Sequence, residues 1–310
     1  MADPATGETA VEIVEVSPRD GLQNESRLLY TEDKIALVER LAAAGARRIE
    51  AASFVNPRRV PQMADGEAVM AGLSGRTRAR LIALALNETG LRRAIAAQAD
   101  EINYVMVASP GFGLRNQNAT PEQSAALFET IAPLAHEAGI PLSVTISVAF
   151  GDPFDGEVPH GVVAELAARA AGAGADEIAL GDTIGVADPW DVRRRLEAVR
   201  AAAPGTRLRV HFHDTRGAAL ANIHASLEAG VRIIDASCGG FGGCPFAPNA
   251  TGNVATESVV YMLERGGLST GIDLDALIAT ARWLEERIGR PAPSLLLRAG
   301  GFPSSSRGSP

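Results

Sequence analysis

The feature that most restricts this chain is a repeated switch between two hydrophobic periods. Eight short runs rich in Val, Ile, Leu and Ala read as strands, at residues 11–16, 47–52, 79–86, 101–107, 142–150, 176–180, 208–213 and 231–236. Each is followed by a longer stretch with apolar residues at three- and four-residue spacing, at 31–44, 61–73, 88–97, 120–138, 158–173, 189–202, 218–229 and 254–265. Thr31 is positioned to cap the first helix, and Gly45, Gly139, Gly174 and Gly230 stand where helices give way to strands. Repeated β-then-α units require a parallel sheet with right-handed crossovers. Eight of them within about 265 residues predict a closed (β/α)8 TIM barrel rather than an open doubly wound sheet. No G-x-G-x-x-G follows the first strand, which weakens a dinucleotide-binding alternative.

Beyond the eighth unit, residues 273–289 predict one more amphipathic helix. Leu274, Leu277, Ile278, Ala281, Leu284 and Ile288 fall on one face, to pack outside the barrel or on a partner. The expected organisation is a loose leader at 1–10, a barrel domain at 11–289 that includes this helix, and a flexible Pro-, Gly- and Ser-rich tail at 290–310.

Several function classes are disfavoured by composition. The net charge is −8, aromatics make up 5%, and no Lys/Arg cluster marks a nucleic-acid face. No apolar run is long enough for a bilayer, and the start resembles no targeting leader, so neither a membrane nor nucleic acid is expected as partner. Two cysteines, Cys238 and Cys244, give no disulfide framework, and a reducing, cytoplasmic setting is the default.

The chemistry-bearing residues gather at strand ends, where barrels of this kind build their sites. In the run 207–217, R-L-R-V-H-F-H-D-T-R-G, strand alternation puts His211 and His213 on one face, with Phe212 opposite. Two such imidazoles can grip one divalent ion. Arg19 and Asp20 follow strand one, Glu50 ends strand two, Asp182 follows strand six, and Cys244 and Asn253 follow strand eight. A carboxylate, two imidazoles and an amide oxygen form a mixed set that suits Mg2+ or Mn2+. A salt bridge to Arg19 would account for Asp20 or Glu50 singly, but not for convergence on one rim. The Gly-rich loop 239–253 has the freedom of a lid and carries Cys244, a candidate proton donor or acceptor. Cys238 reads as core packing, and His136, His160 and His224 as structural or solvated, the first and last in helices and His160 in a loop.

These motifs resemble the 3-hydroxy-3-methylglutaryl-CoA lyase family. The matching segments are V-E-V-S-P-R-D-G-L-Q-N-E at 14–25, I-E-A-A-S-F-V at 49–55, L-G-D-T-I-G-V at 180–186, H-F-H-D-T-R-G-A-A-L-A-N at 211–222, and the cysteine loop G-G-C-P-F-A-P-N-A-T-G-N-V-A-T-E at 242–257. The resemblance covers nearly all of 11–288. It implies a metal-dependent retro-Claisen cleavage of an acyl-CoA thioester to acetyl-CoA and a keto acid, in a homo-oligomer (dimer or tetramer). It implies Asp20, His211, His213 and Asn253 as metal ligands and Arg19 as binder of the thioester carbonyl. Asp20 or His211 would be the base, Glu50 and Asp182 would orient the site, Gln23 would lie near the substrate, and Cys244 would move a proton. The chain departs from the family at 109–112 (S-P-G-F) and 151–156 (G-D-P-F-D-G), segments that border the acyl pocket or its approach. A related thioester such as citramalyl-CoA is therefore an alternative substrate. Two rivals remain, an acetyl-CoA-dependent synthase on the same barrel and a non-catalytic acyl-CoA sensor.

Overall fold

A computed structural model describes residues 10–243 and 252–302. The strands are β1 (Glu12–Glu15), β2 (Arg48–Ser53), β3 (Arg80–Ala85), β4 (Glu101–Val107), β5 (Leu142–Ser147), β6 (Glu177–Asp182), β7 (Arg207–Phe212) and β8 (Ile233–Ala236). They close in chain order into a parallel barrel, β8 pairing back onto β1. The surrounding helices are α1 (Thr31–Ala43), α2 (Gly66–Leu73), α3 (Glu88–Ala96), α4 (Pro110–Asn116), α5 (Pro121–Glu137), α6 (His160–Gly172), α7 (Pro189–Ala202), α8 (Ala219–Glu228), α9 (Thr256–Arg265), α10 (Leu274–Ile288) and α11 (Leu296–Ala299). Among the described residues no helix is long and apolar enough to cross a membrane.

Both faces of each strand are covered, so nearly every strand residue is buried. The two faces nonetheless differ in chemistry. Outward residues such as Ile102, Tyr104 and Met106 fill the sheet–helix layer, Tyr104 lying 5.3 Å from the Phe128 ring of α5. Inward residues are largely polar. Arg48 donates to Glu101 and Glu177, and Arg209 lies 3.3 Å from both Glu177 and Asp235. Branched aliphatic residues usually fill such lumens, but here a small cluster of Val14, Val16, Ile82 and Ile233 is joined by this ionic layer. Removing one member of a buried pair typically costs about 3–5 kcal/mol, because the other charge is left stranded.

Local departures from the sequence expectation have identifiable causes. Thr31 opens α1 but does not cap it. Its hydroxyl donates 2.8 Å to Asp65, a carboxylate that also takes the Lys34 ammonium. The helix expected over 61–73 splits at Asp65 into a single 3-10 turn and α2. His160 is the first residue of α6, not a loop residue, and its ring meets Asp191 at 2.7 Å. The short α4 has no counterpart in the sequence expectation. It begins at Pro110 and ends near Asn118, whose φ of 57° breaks the helix.

The apolar face of α10 is spent inside the protein, against α1 and the segment after β8. It is not left for a partner. Where the sequence suggests loose chain from residue 290, the described part packs: Ala292, Ser294 and Leu297 are buried and α11 forms.

Candidate active site

The site begins with the turn that follows β1. Ser17–Gly21 forms a single π-helical turn, a shape that recurs at functional sites, and it presents Arg19 and Asp20 to the barrel mouth. The guanidinium is clamped on two sides. Arg19 Nε and Nη2 lie 2.7 and 2.6 Å from Glu50 Oε2, and Nη1 lies 2.6 Å from Asp20 Oδ1. The other Glu50 oxygen accepts from Asn103 Nδ2 at 3.1 Å. Both salt bridges thus exist, and they build the site rather than compete with it.

The second Asp20 oxygen faces the other way. Oδ2 lies 3.8 Å from His211 Nε2 and 3.9 Å from His213 Nε2, too far for hydrogen bonds. The two rings sit 5.2 Å apart, on one face as the alternation predicts. Burial alone would raise the Asp20 pKa, but Arg19, with His213 and His211, holds it well below the usual carboxylate range. Burial would lower His211, yet Asp235 and Asp20 outweigh it and raise it.

Asn253 reaches the same point from the far end of the Gly-rich segment 239–253. His213 and Asn253 pair through an antiparallel backbone bridge, reinforced by Asp214 N–H to the Gly252 carbonyl at 2.8 Å. Gly252 makes this approach feasible. Its φ is +94°, and a Cβ there would lie 1.5 Å from the Gly242 oxygen. Asn253 Nδ2 donates to Asp20 Oδ2 at 2.8 Å, while its Oδ1 is buried with no partner among the described residues.

These residues fit a divalent cation. Donor atoms of Asp20, His211 and His213 all lie within 4.8 Å of one another. The Asp20–imidazole separations are no wider than two donors sharing one ion at about 2.1 Å each. Rotating the Asn253 amide would bring its orphaned oxygen round to the same point.

Gln23 joins Arg19, Asp20 and both histidines in lining a cavity of about 560 Å³. Asp182 does not face this cavity. It sits one residue past the inward Gly181, so its side chain points outward, and its oxygens accept the Val186 and Ala187 N–H groups at 2.8 and 3.0 Å. It shapes the turn after β6, so the orienting role and the substrate contact expected of Asp182 would act through that turn and not through its own side chain in the cavity. Cys244 lies outside the described residues. Gly243 just before it is tied to the β1 loop, its carbonyl accepting from Asn24 Nδ2 at 2.6 Å. Cys238 is buried as expected, and burial pushes its thiol well up.

The segments 109–112 and 151–156 touch each other. Asp155 accepts from Ser109 Oγ and Gly111 N–H at 2.6 Å each, and Asp152 from Phe112 N–H at 2.8 Å. Together they fix α4 and hold Phe112 in the cavity wall. Asp235, Asn103 and the ionic layer escape the sequence reading. Their signal is nonetheless there, as polar residues at alternate positions of otherwise apolar strands, such as Glu101/Asn103 and Arg209/His211.

Comparison with known proteins agrees with this geometry. A family model described as HMGL-like matches residues 10–284. A mitochondrial hydroxymethylglutaryl-CoA lyase of Arabidopsis thaliana is 45% identical over 281 residues, 91% of this chain; the chain spans 60% of that protein's length. An (R)-citramalyl-CoA lyase of Chloroflexus aurantiacus is 42% identical over 301 residues, covering 94% of this chain and 95% of the relative. The solved structure of an HMG-CoA lyase from Acinetobacter baumannii, in complex with coenzyme A and 3-methylmalate, superposes with a TM-score of 0.91 at 40% identity, over 97% of both chains.

Proposed function

The chain belongs to the HMGL-like family, and from that premise we propose that it is a divalent-metal-dependent carbon–carbon lyase. Its substrate is a 3-hydroxy-3-methylglutaryl-CoA-like thioester, cleaved by retro-Claisen reaction to acetyl-CoA and a keto acid. For hydroxymethylglutaryl-CoA itself the second product is acetoacetate. The observation that carries this reading is the meeting of Asp20, His211 and His213 beside a guanidinium held by Glu50.

Asp20, His211, His213 and Asn253 would hold Mg2+ or Mn2+, which when bound lowers the pKa of the substrate's tertiary hydroxyl. Asp20, whose carboxylate keeps lone pairs beyond one given to an ion, is placed to take the hydroxyl proton; His211 Nε2, at the same point, could do so only when it does not hold the ion. As the C2–C3 bond breaks, the hydroxyl-bearing carbon becomes a ketone and the electron pair moves into the acetyl-CoA enolate. Arg19, fixed by Glu50 and Asp20, stabilises the charge on the thioester oxygen without having to reorganise. Cys244, carried by the lid, delivers the proton that completes acetyl-CoA. Gln23 contacts the acyl group from the β1 loop.

The wall formed by α4 and the 151–156 segment keeps a second substrate in play. The Chloroflexus relative is named for citramalyl-CoA. The same residues would cleave that thioester to acetyl-CoA and pyruvate. The reading includes a homo-oligomer in the cytoplasm. Incubation with hydroxymethylglutaryl-CoA, citramalyl-CoA and longer branched analogues, with Mg2+ or Mn2+, tests it. Release of acetyl-CoA from at least one ester is expected. Condensation of acetyl-CoA with 2-oxoacids in place of cleavage would favour a synthase, and binding without any turnover would favour a sensor.

A further inference from the structure

His211 and His213 look alike in sequence but not in their surroundings. Behind His213, Nδ1 is buried with no partner among the described residues. Behind His211 stands a carboxylate: Asp235 Oδ2 lies 3.2 Å from Nδ1. The two residues are direct neighbours in the β7–β8 register, so the contact is set by the sheet and not by a flexible arm. Asp235 faces a cation from one layer below: Arg209 Nε lies 3.3 Å from its Oδ1, an ion pair without hydrogen-bond alignment. Arg209 in turn leans on Glu177, which Arg48 shares with Glu101.

We propose that Asp235 is a positioning residue for His211. It accepts the Nδ1–H, fixes that tautomer, and leaves the Nε2 lone pair aimed at the point shared with Asp20 Oδ2. Arg209 balances the carboxylate's charge from beneath. The two imidazoles are therefore unequal ligands. His211 is pre-oriented and made more basic by an anion at its back, whereas His213 is held by packing and its backbone bridge to Asn253. A carboxylate behind a ligating histidine typically improves metal affinity about 10–100-fold. This inference rests on the metal-site reading above, and its test separates the two.

The first measurement needs neither a variant nor a metal. Nitrogen-15 NMR of the metal-free protein at pH 8 reads the tautomer of each histidine. His211 is expected as Nδ1–H with a bare Nε2; the Nε2–H tautomer would overturn the proposal. The second is calorimetric titration of Mn2+ into the wild type and Asp235→Asn. A loss of at least tenfold in affinity is expected, with Asp235→Glu recovering part of it. Equal affinity in wild type and Asp235→Asn would overturn the proposal. A wild type that binds no Mn2+, yet shows the Nδ1–H tautomer, would overturn the metal site while leaving Asp235 in its orienting role. Should Asp235→Asn fail to fold, the tautomer measurement still decides.

Discussion

Asn253 and Asp20 stand 233 residues apart in the chain and meet through a 2.8 Å hydrogen bond from Nδ2 to Oδ2. That contact joins the turn after β1 to the segment that precedes α9. Asp20 also faces the two β7-end imidazoles, so a single carboxylate unites three segments of the barrel rim. Anything that shifts one segment should be felt as a loss of cation binding before it is felt as a loss of fold.

Asp20→Ala and His213→Ala test this directly. Both variants should stay folded, since Asp20 is partly exposed at the mouth and the buried His213 ring makes no hydrogen bond through Nδ1 and belongs to no apolar core cluster. Calorimetry with Mn2+ should show affinity falling by at least tenfold, as expected when a ligand is removed. Unchanged affinity in either would remove that residue from the set.

Arg19→Met separates catalysis from metal binding. Loss of one preorganised charge-stabilising contact typically costs about 10²–10³ in kcat. Mn2+ affinity should not weaken, because Asp20 loses a competing cation at 2.6 Å. Retention of most of the turnover would show that the enolate is stabilised elsewhere.

Much of the fold and of the site is legible in the sequence. The eight-unit alternation points to the barrel, because a closed parallel sheet accommodates that many β-then-α repeats in one domain. The meeting of Asp20, His211 and His213 is legible because each follows or ends a strand with adjacent turn residues, whereas Asn253, 17 residues past the end of β8, is reached only through the resemblance. How Asp182 acts is less legible: proximity in sequence to a strand end does not say which face a side chain takes, and its carboxylate ties the turn after β6 and does not line the cavity. Asp235 is easily overlooked because an acid inside I-I-D-A resembles a stray residue until the β7 register sets it beside His211. The junction of 109–113 with 151–156 cannot be read from the sequence at all, since it depends on three-dimensional neighbours.

Gly252→Ala should damage the site more than the fold. The residue has φ of +94° and no room for a Cβ beside the Gly242 oxygen. The backbone must shift, and the Asn253–His213 bridge shifts with it. Thermal unfolding is expected to move by only a few degrees, while metal affinity falls about tenfold or more. A wild-type affinity in this variant would show that Asn253 is not positioned by the Gly242–Gly252 approach.

Glu257 gives the stability a pH dependence of defined sign. Burial raises its pKa to about 7, against 4.5 for the unfolded group, although Ser294 and the Gly239 N–H oppose the shift. Between those values the folded state holds a proton that the unfolded state has released. Stability contributed by this group is therefore present below about pH 4.5 and lost as pH rises to about 7. Urea unfolding of Glu257→Gln should show a smaller fall between pH 5 and 8 than the wild type, by up to about 3 kcal/mol. Parallel curves for the two proteins would exclude Glu257 as the source.

The central claim is that residues from distant strands hold a divalent ion at one mouth of the barrel and break a carbon–carbon bond with it. The most direct measurement is release of acetyl-CoA from hydroxymethylglutaryl-CoA and citramalyl-CoA by protein stripped with a chelator, before and after Mg2+ or Mn2+ is restored. The account predicts negligible cleavage without the ion and recovery with it. Undiminished cleavage by the stripped protein would contradict it.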